Sequence, residues 1–545
     1  MRYEKSAMIE WIKKKKIIIY GVGKIQQDFQ YIFDWIVSEY YVDSNKMILD
    51  KPNIYPINKI LEEKLDDILV IVCIHDKKEA EQNLVELGLS YKKNFLWVDD
   101  LFYLLDDVDE EYVLGKNVYI WGCGKTQKNL ERGLKENGYN FSICGYIDNN
   151  SEVWGGKIIS PEKLPELKDV YIIVASVYYA SIKGQLEKMG LKEDRDFVCF
   201  SKFMVRPSQM MKKTIYDKPL KLGRCLMMER MTYTHSGIYP CCVMWVDYPI
   251  GNPVVDSCVD SWKSIVMKLY RLSVENRTYS FCKKGICKFL PKYPETDEKE
   301  RDFYLKEFST YPHTLALGLD DSCNLRCESC RNELRFTKEE LLKERKRYAQ
   351  DLLDSGWLEK VDEVFTSIEG EVFANEVDRM VLFGGQVMRD NIHILTNGNL
   401  LDEKNWNCLE NSYKKIQVSI SIDAATAETY NILRRGGNWQ RLQKNLAMLS
   451  DKRKGGILER VEIKMVVQRK NYKEMVDFVK MAKKYQFDQV TFTRINNYGT
   501  YTDEEYADIS MIGQDGHVSD ELEKVLRDSI FEDKIVNIAE FSSCR

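Results

Sequence analysis

The chain has 545 residues, enough for roughly three to five domains of ordinary size. Apolar residues make up 44% and charged residues 30%, and the net charge of −5 argues against a global basic field of the kind that binds nucleic acid. No apolar run approaches the ~18–20 residues that cross a bilayer, so we expect no membrane partner.

The N-terminal lysines directly precede a short strand-like run, KKKKIIIYG, with no small-residue cleavage site after it, so we expect a cytoplasmic protein. In a reducing compartment, clusters among its fifteen cysteines are read as metal ligands before disulfides. Six lie between residues 220 and 290, namely Cys225, Cys241, Cys242, Cys258, Cys282 and Cys287, and three more lie at 323–330. The isolated Cys73, Cys144 and Cys199 lie in apolar runs and are predicted to be buried.

The first 200 residues contain an internal repeat. The segments KKIIIYGVGKIQQDFQYIF and KNVYIWGCGKTQKNLERGL each read as a strand, a Gly-x-Gly turn and a helix. Each is followed by a strand that ends in Asp and by a further strand and helix. Apolar strands that alternate with amphipathic helices favour a small parallel sheet. We therefore predict two Rossmann-like domains, over residues 1–110 and 111–206.

The two turns carry half of a dinucleotide-binding fingerprint: Gly21 and Gly23 in the first copy, Gly122 and Gly124 in the second. Their backbone amides are expected to face a phosphate, and Asp43 and Asp148 to bind a ribose hydroxyl. Gln26 and Gln127 replace the third glycine. The copies resemble Rossmann modules associated with sugar nucleotides, and the alternative is a module that only packs.

From residue 301 to 545 the pattern is again strand and helix. Candidate strands are 314–320, 363–369, 391–396, 416–423, 460–467 and 489–494, and helical stretches separate most of them. Six parallel strands with helices outside predict a partial (β/α)6 barrel. Its chemistry is expected at the C-terminal ends of the strands.

The loop after the first of these strands reads DDSCNLRCESC, with Cys323, Cys327 and Cys330 in a C-x3-C-x2-C arrangement. Three thiolates can each bind one iron of a [4Fe–4S] cube and leave the fourth iron for an exogenous ligand. The alternative is a zinc site, but zinc prefers a fourth Cys or His nearby, and none follows within the next sixty residues.

This cysteine loop resembles that of the radical S-adenosylmethionine (SAM) superfamily. The segment after the second strand, with Gly370 and Glu371, resembles the family's Gly-Gly-Glu segment, although Glu369 replaces the first glycine and Val372 the usual proline. The resemblance implies that the SAM-binding residues are Gly370, Glu371, Asn397, Ser421 and Asp423, with Arg434 at the SAM carboxylate. It also implies reductive cleavage of SAM to a 5′-deoxyadenosyl radical, hydrogen abstraction from a substrate, and a flavodoxin- or ferredoxin-type reductant.

The Cys-rich stretch over 207–300 resembles the SPASM module, or its shorter twitch form, which holds an auxiliary [4Fe–4S] cluster. The ligands implied are Cys225, Cys242, Cys282 and Cys287, with Cys241 as an alternative to Cys242 and Cys258 left as a structural thiol. In most members the module follows the barrel, whereas here it precedes it. A structural zinc site is the alternative.

The predicted architecture is therefore α/β: two Rossmann-like domains, the Cys-rich module and the barrel at 301–545. The predicted function is a radical SAM oxidoreductase that oxidises or rearranges a carbohydrate or nucleotide-linked sugar. The sugar substrate is inferred from the Rossmann-like domains. The alternatives are a radical SAM/SPASM peptide maturase and a binding scaffold with a vestigial cluster. Polar residues that are candidates to contact the substrate are Arg494, Asn496, Asn497 and Tyr498.

Overall fold

The computed structural model describes residues 5–45, 47, 49–222, 225–287, 289–290, 309–366, 369–384, 388–497, 499–513 and 516–544. Residues 291–308, at the end of the predicted Cys-rich module, and Tyr498 lie outside the described residues. The chain divides into two compact units. The first unit contains Met1–Met228, Cys242–Val255 and Lys263–Phe308, and the second unit contains Glu229–Cys241, Asp256–Trp262 and Ser309–Arg545.

The first unit contains two small sheets, and in both every pair of neighbouring strands is parallel. The first has the order β3-β2-β1-β4-β5 and consists of β1 (Lys16–Tyr20), β2 (Tyr40–Asp43), β3 (Ile54–Pro56), β4 (Ile68–Val72) and β5 (Phe95–Trp97). Its helices are α1 (Lys5–Lys13), α2 (Lys24–Ile32) and α3 (Lys77–Glu86). All five residues of β4 are buried, as expected for a central strand covered on both faces.

The second sheet repeats this strand order. It consists of β6 (Asn117–Trp121), β7 (Ile143–Ile147), β8 (Ile158–Ile159), β9 (Val170–Val174) and β10 (Phe197–Cys199), in the order β10-β9-β6-β7-β8. Its helices are α4 (Glu110–Leu114), α5 (Lys125–Glu136), α6 (Tyr179–Lys188) and, after the sheet, α7 (Pro207–Tyr216). The prediction of parallel-sheet α/β domains is confirmed. Cys73 and Cys199 are buried as predicted, but Cys144 is exposed because it points outward from β7.

The second unit is built on a sheet of nine strands. They are β11 (Arg230–Thr234), β12 (Gly237–Tyr239), β13 (Thr314–Gly318), β14 (Glu363–Thr366), β15 (Arg389–Thr396), β16 (Tyr413–Ser421), β17 (Leu458–Val467), β18 (Gln489–Arg494) and β19 (Val536–Asn537). Their order is β12-β11-β13-β14-β15-β16-β17-β18-β19, and only β12 is antiparallel to its neighbour. The remaining helices of the chain are α8 (Cys258–Lys263), α9 (Ile265–Glu275), α10 (Glu339–Asp354), α11 (Glu376–Phe383), α12 (Glu403–Glu410), α13 (Ala427–Leu433), α14 (Trp439–Lys452), α15 (Met475–Lys484), α16 (Asp503–Ile509) and α17 (Asp520–Leu526).

The six predicted strands of this sheet are all present as β13–β18, in sequence order and parallel. The expectation of six strands was incomplete, because β11, β12 and β19 extend the sheet at its two edges. Strand β11 comes from the range that the sequence assigned to the Cys-rich module, and it pairs in parallel with β13, Met231 opposite Leu315.

Side chains alternate between the two faces of the large sheet. Buried Ile392, Ile394 and Ile420 lie on one face of β15 and β16, whereas His393 and Gln417 lie on the other and are only half-buried. Because the strands are parallel, the loops that follow β13–β18 leave from one edge, which we call the carboxyl edge. No helix within the described ranges is long and apolar enough to span a membrane.

Candidate functional site

The cysteine loop follows β13 directly and is fastened at the carboxyl edge by backbone hydrogen bonds. The amide of Arg326 donates to the carbonyl of Arg435 at 2.9 Å, and the amide of Glu328 donates to the carbonyl of Leu433 at 3.1 Å. The loop therefore lies against the segment after α13. Of its three cysteines, Cys323 is buried, Cys327 is partly exposed and Cys330 is exposed.

Two of the thiols already receive hydrogen bonds of the kind that a metal-bound thiolate accepts. The amide of Leu325 donates to Sγ of Cys323 at 3.4 Å, and Nη1 of Arg434 donates to Sγ of Cys327 at 3.6 Å. Burial raises the pKa of Cys323 to about 11, and the Leu325 amide opposes that rise. Burial also raises the pKa of Cys327, and the charge of Arg434 opposes it. These contacts favour the thiolate form that a metal requires.

Gly370 lies against the cysteine loop at a position that no other residue fits. Its φ is 70°, in the left-handed region. A Cβ at this position would lie 2.6 Å from the carbonyl oxygen of Ser322 and 2.9 Å from that of Asp320. The next residue, Glu371, donates its amide to the same Ser322 carbonyl at 2.9 Å. The segment 369–371 is thus packed directly on the start of the cysteine loop.

The Glu371 carboxylate connects three loops at the carboxyl edge. It is 2% exposed, accepts the Thr396 hydroxyl at 2.7 Å and accepts the Asn397 amide at 2.7 Å. The Asn397 side chain in turn donates to Oδ1 of Asn324, inside the cysteine loop, at 2.9 Å. Burial raises the pKa of Glu371, and these two donors oppose the rise. Glu371 and Asn397 are therefore held beside the cysteine loop.

Asp423 and Arg434 form a buried ion pair, with Nη2 of Arg434 2.8 Å from Oδ2 of Asp423. Asp423 has a φ of 65°, and its Oδ1 accepts the Val466 amide at 2.8 Å. Both carboxylate oxygens are thus hydrogen-bonded or ion-paired, and Asp423 orients Arg434. Nε of Arg434 is buried and has no hydrogen-bond partner within the described part of the chain. Ser421, the last residue of β16, is half-buried and lies opposite Lys464.

The donor set fits a [4Fe–4S] cluster with an open iron. Three thiols come from one short loop, and a buried carboxylate and a guanidinium with an unpaired Nε lie beside them. Among the described residues, no three His, Cys, Asp or Glu side chains surround one point closely enough to hold a single metal ion. In a cube each thiolate binds its own iron, so the sulfurs need not converge on one point.

The four cysteines predicted to hold a second cluster all belong to the first unit. Cys225 and Cys287 are buried, and Cys242 and Cys282 are partly exposed. Burial, with smaller contributions from the negative charges of Cys225 and Cys287, raises the pKa of Cys282 to about 12, so both of these thiols lie near Cys282. The alternative Cys241 falls in the second unit.

The Gly-x-Gly turns of the small sheets differ from expectation. The amide of Val22 donates to Oδ2 of Asp43 at 2.8 Å, and the amide of Cys123 donates to Oδ2 of Asp148 at 2.9 Å. Each acid therefore binds the turn in its own copy of the repeat. The amide that donates to it is not free to bind a phosphate. Gly122, with a φ of 114°, is required because the neighbouring strand β9 passes close to it.

The candidate substrate residues after β18 that the structure describes make local contacts. The amide of Arg494 donates to Oε2 of Glu540 at 3.0 Å. The side chain of Asn497 donates to the carbonyl of Tyr501 at 2.9 Å and so closes its own loop. The Asn496 side chain is exposed.

Two polar groupings were missed by the sequence analysis. His235, just after β11, lies with Nδ1 2.6 Å from Oε2 of Glu369. On one face of the large sheet, His393 pairs with the Ser419 hydroxyl at 2.8 Å, and that hydroxyl donates to Glu462 at 2.6 Å. The second grouping had a signal in the sequence, namely the charged residues at alternate positions of RVEIKMVV. The pair of His235 and Glu369 had no such signal, because it depends on pairing between distant segments.

Similarity to known proteins is limited in extent. A family model described as C2185-like, N-terminal, matches residues 114–197, which hold most of the second small sheet. No curated protein matches the chain.

Solved structures match over part of the chain only. SuiB of Streptococcus suis bound to the precursor peptide SuiA is 17% identical, with 44% of this chain and 52% of that chain covered, at a TM-score of 0.30. TYW1 with a lysine–pyruvate adduct bound is 16% identical, with 39% of this chain and 70% of that chain covered, at a TM-score of 0.25. The enzyme anSMEcpe with bound AdoMet is 19% identical, with 34% of this chain and 51% of that chain covered, at a TM-score of 0.24. The chain thus spans about half the length of SuiB and anSMEcpe.

Proposed function

We propose that the chain is a radical SAM enzyme whose [4Fe–4S] cluster is held by Cys323, Cys327 and Cys330. The observation that carries this proposal is the placement of the three-cysteine loop. It lies at the carboxyl edge, hydrogen-bonded through Asn324 and Ser322 to the segments that hold Asn397 and Glu371. Loops at this edge of a parallel β/α sheet are where such folds carry their chemistry.

In this proposal the chain binds SAM through a small set of buried polar groups. The Glu371 carboxylate accepts the SAM amino group, and Arg434, held by Asp423, faces the SAM carboxylate with its unpaired Nε. Gly370 leaves room for the segment to lie against the cysteine loop. When bound, the cluster supplies the electron that cleaves SAM reductively, so that a hydrogen atom can be taken from the substrate. The protein's own task is to orient SAM and to exclude water.

A second [4Fe–4S] cluster in the first unit is part of the proposal, with Cys225, Cys242, Cys282 and Cys287 as ligands. Cys225 and Cys287 lie near enough to Cys282 to raise its pKa, and all four cysteines belong to one compact unit. Cys241, the chain neighbour of Cys242, is the alternative fourth ligand. This module is proposed as SPASM- or twitch-like.

The proposed substrate is a carbohydrate or a nucleotide-linked sugar, and the proposed reaction is its oxidation or rearrangement. Two features support a small polar substrate. One is the pair of small parallel sheets with the same strand order. The other is a polar grouping on the large sheet, where half-buried His393 and buried Ser419 and Glu462 are hydrogen-bonded. A flavodoxin- or ferredoxin-type protein is proposed as the electron donor.

The test is product analysis under anaerobic conditions. Reconstituted protein with dithionite and SAM should slowly release 5′-deoxyadenosine and methionine, whereas a variant with Cys323, Cys327 and Cys330 changed to Ala should release neither. S-adenosylhomocysteine as the main product would contradict the proposal, since it indicates methyl transfer. Deuterated sugars, nucleotide sugars and peptides should then be compared as sources of deuterium in 5′-deoxyadenosine. Transfer from a peptide alone would replace the sugar assignment by a peptide maturase.

A further inference from the structure

The hairpin of β11 and β12 holds His235 at the carboxyl edge. The His235 amide donates to the carbonyl of Gly318 at 3.0 Å, which continues the ladder from β11 onto β13 by one residue. The hydroxyl of Thr234 donates to the carbonyl of Gly237 at 3.0 Å and closes the turn. His235 is therefore fixed by backbone contacts on both sides, and its side chain leaves from a rigid element.

The His235 side chain meets the carboxylate of Glu369. Nδ1 lies 2.6 Å from Oε2, and the two side chains are 23% and 30% exposed. Other carboxylates act on the same region. Burial, together with the nearby negative charges of Asp320 and Glu369, raises the pKa of Asp378 to about 7. His235 thus faces Glu369 in a region where other carboxylates lie nearby.

Glu369 immediately precedes the two residues proposed to meet SAM. On the far side, Glu371 is tied by its amide to Ser322, and Gly370 between them contacts the cysteine loop without space for a Cβ. The segment 369–371 is therefore held at one end by the cysteine loop and at the other by His235.

We propose that His235 is a positioning residue that, through Glu369, holds Glu371 in place to receive the amino group of SAM. This inference rests on the proposed SAM-binding role of Glu371. His235 itself touches neither SAM nor the cysteines. His235 acts on Glu371 through the two peptide units that separate it from Glu369. If position 369 is not held, the segment samples orientations in which the Glu371 carboxylate is displaced. A ligand-binding group that must be ordered on binding gives a lower affinity than one that is already held in place.

The experiment compares His235→Gln, Glu369→Gln and the double variant, with His313→Gln as a matched control. His313 forms a similar pair with Asp362 at 2.8 Å, but at the amino end of β13 and β14 and exposed to solvent. SAM binding is measured by equilibrium dialysis on reconstituted protein. Backbone hydrogen exchange over residues 370–374 is measured separately on cluster-free protein.

We expect His235→Gln to raise the SAM dissociation constant about tenfold. Iron content should be unchanged, and exchange over 370–374 should be faster. Because the two side chains act as one unit, the double variant should be no worse than either single variant. His313→Gln should change neither readout. If either single variant fails to fold, the other carries the test alone.

The proposal is overturned if His235→Gln leaves both the SAM affinity and the exchange at wild-type values, or if the two substitutions add independently. If the wild-type protein itself binds no SAM, the proposed function fails instead. The exchange measurement then still decides whether His235 orders the 369–371 segment.

Discussion

The guanidinium of Arg434 bridges the carboxylate of Asp423, at 2.8 Å, and the sulfur of Cys327, at 3.6 Å. Breaking a buried pair of this kind leaves an uncompensated charge and typically costs about 3–5 kcal/mol. We expect Asp423→Asn to lower the free energy of unfolding of cluster-free protein by this order and to weaken SAM binding, since Arg434 loses its orientation. Urea denaturation and equilibrium dialysis measure the two effects.

Lys415 and Glu459 provide the matched control for that prediction. They form an exposed pair at 2.7 Å between β16 and β17. Glu459→Gln should cost less than about 1 kcal/mol, because exposed pairs contribute little. Equal effects of Asp423→Asn and Glu459→Gln would show that the buried pair has no special role.

The second prediction concerns iron. Anaerobically reconstituted protein should hold about eight irons and eight sulfides if both clusters form. Substituting Cys323, Cys327 and Cys330 by Ala should remove about four of each, because that cluster loses all its protein ligands. Replacing the isolated, buried Cys73 by Ala should leave the iron count unchanged. A triple variant that keeps its full iron load, or zinc at this loop in the wild type, would refute the assignment.

The third prediction follows from the lack of space at Gly370. A methyl group there meets the Ser322 carbonyl at 2.6 Å and requires a φ near 70°. Gly370→Ala should therefore reduce the free energy of unfolding by about 2–4 kcal/mol. Gly455→Ala is the control, since nothing lies within 4 Å of its Cβ position and its φ is not positive. Chemical denaturation of the two variants should differ clearly, and equal midpoints would contradict the geometry.

The fourth prediction separates an electron-transfer cluster from structural zinc at the Cys-rich module. If a cluster accepts the electron left on the substrate, a variant with Cys282 and Cys287 changed to Ala should still cleave SAM but form no oxidised product. If the site holds structural zinc, the same variant should lose folding and SAM cleavage together, because such zinc contributes directly to folding.

Electron paramagnetic resonance of the protein without the Cys323 loop cysteines decides between these outcomes. A reduced [4Fe–4S] signal supports the cluster, and a silent, zinc-loaded protein overturns it. Cys258→Ala is the control for loss of a thiol, because Cys258 is buried and its backbone amide donates to Asp351 at 2.8 Å.

The fifth prediction is a pH dependence of stability at Asp378. This carboxyl is fully buried, and burial raises its pKa from 3.8 to about 7. The folded protein therefore binds more protons than the unfolded chain between these values. As a result, the stability contributed by the neutral acid is present below about pH 4 and falls as the pH rises towards 7. The total change is on the order of 4 kcal/mol.

Asp378→Asn removes this titration. We expect the difference in unfolding free energy between wild type and Asp378→Asn to shrink as the pH is raised from about 5 to about 8. Substituting the exposed Asp451 by Asn should give no such trend. A difference that stays constant with pH would mean that Asp378 is ionised in the folded protein throughout this range.

The features that could be predicted from the sequence are those encoded by neighbouring residues. Apolar runs marked β13 to β18, and the C-x3-C-x2-C spacing marked the loop after β13. The Gly370–Glu371 pair was identified by motif, and its geometry explains the motif, because only glycine fits against the Ser322 carbonyl. Local patterns are sufficient here because strand, turn and loop residues lie next to one another in the chain.

Features that depend on distant pairing were not predictable in this way. Nothing in the residues near Met231 indicates that Leu315 is its partner across the sheet. Likewise, the sequence named Asp423 and Arg434 as separate SAM contacts, but it did not show that they form an ion pair or that the Val466 amide binds the second oxygen of Asp423. A carboxylate binds whichever donors the fold places around it, and those donors come from other elements.

The pairing of β11 with β13 has a consequence for how the protein is made. Residues 230–234 leave the ribosome roughly eighty residues before their parallel partner at 314–318. At the usual rate of about 5–20 residues per second, β11 waits several seconds for β13, with only the short strand β12 to pair with. An unpaired strand edge recruits other chains. Slower growth at low temperature, or chaperone binding during synthesis, should therefore raise the yield of soluble protein more than any change at the cysteines.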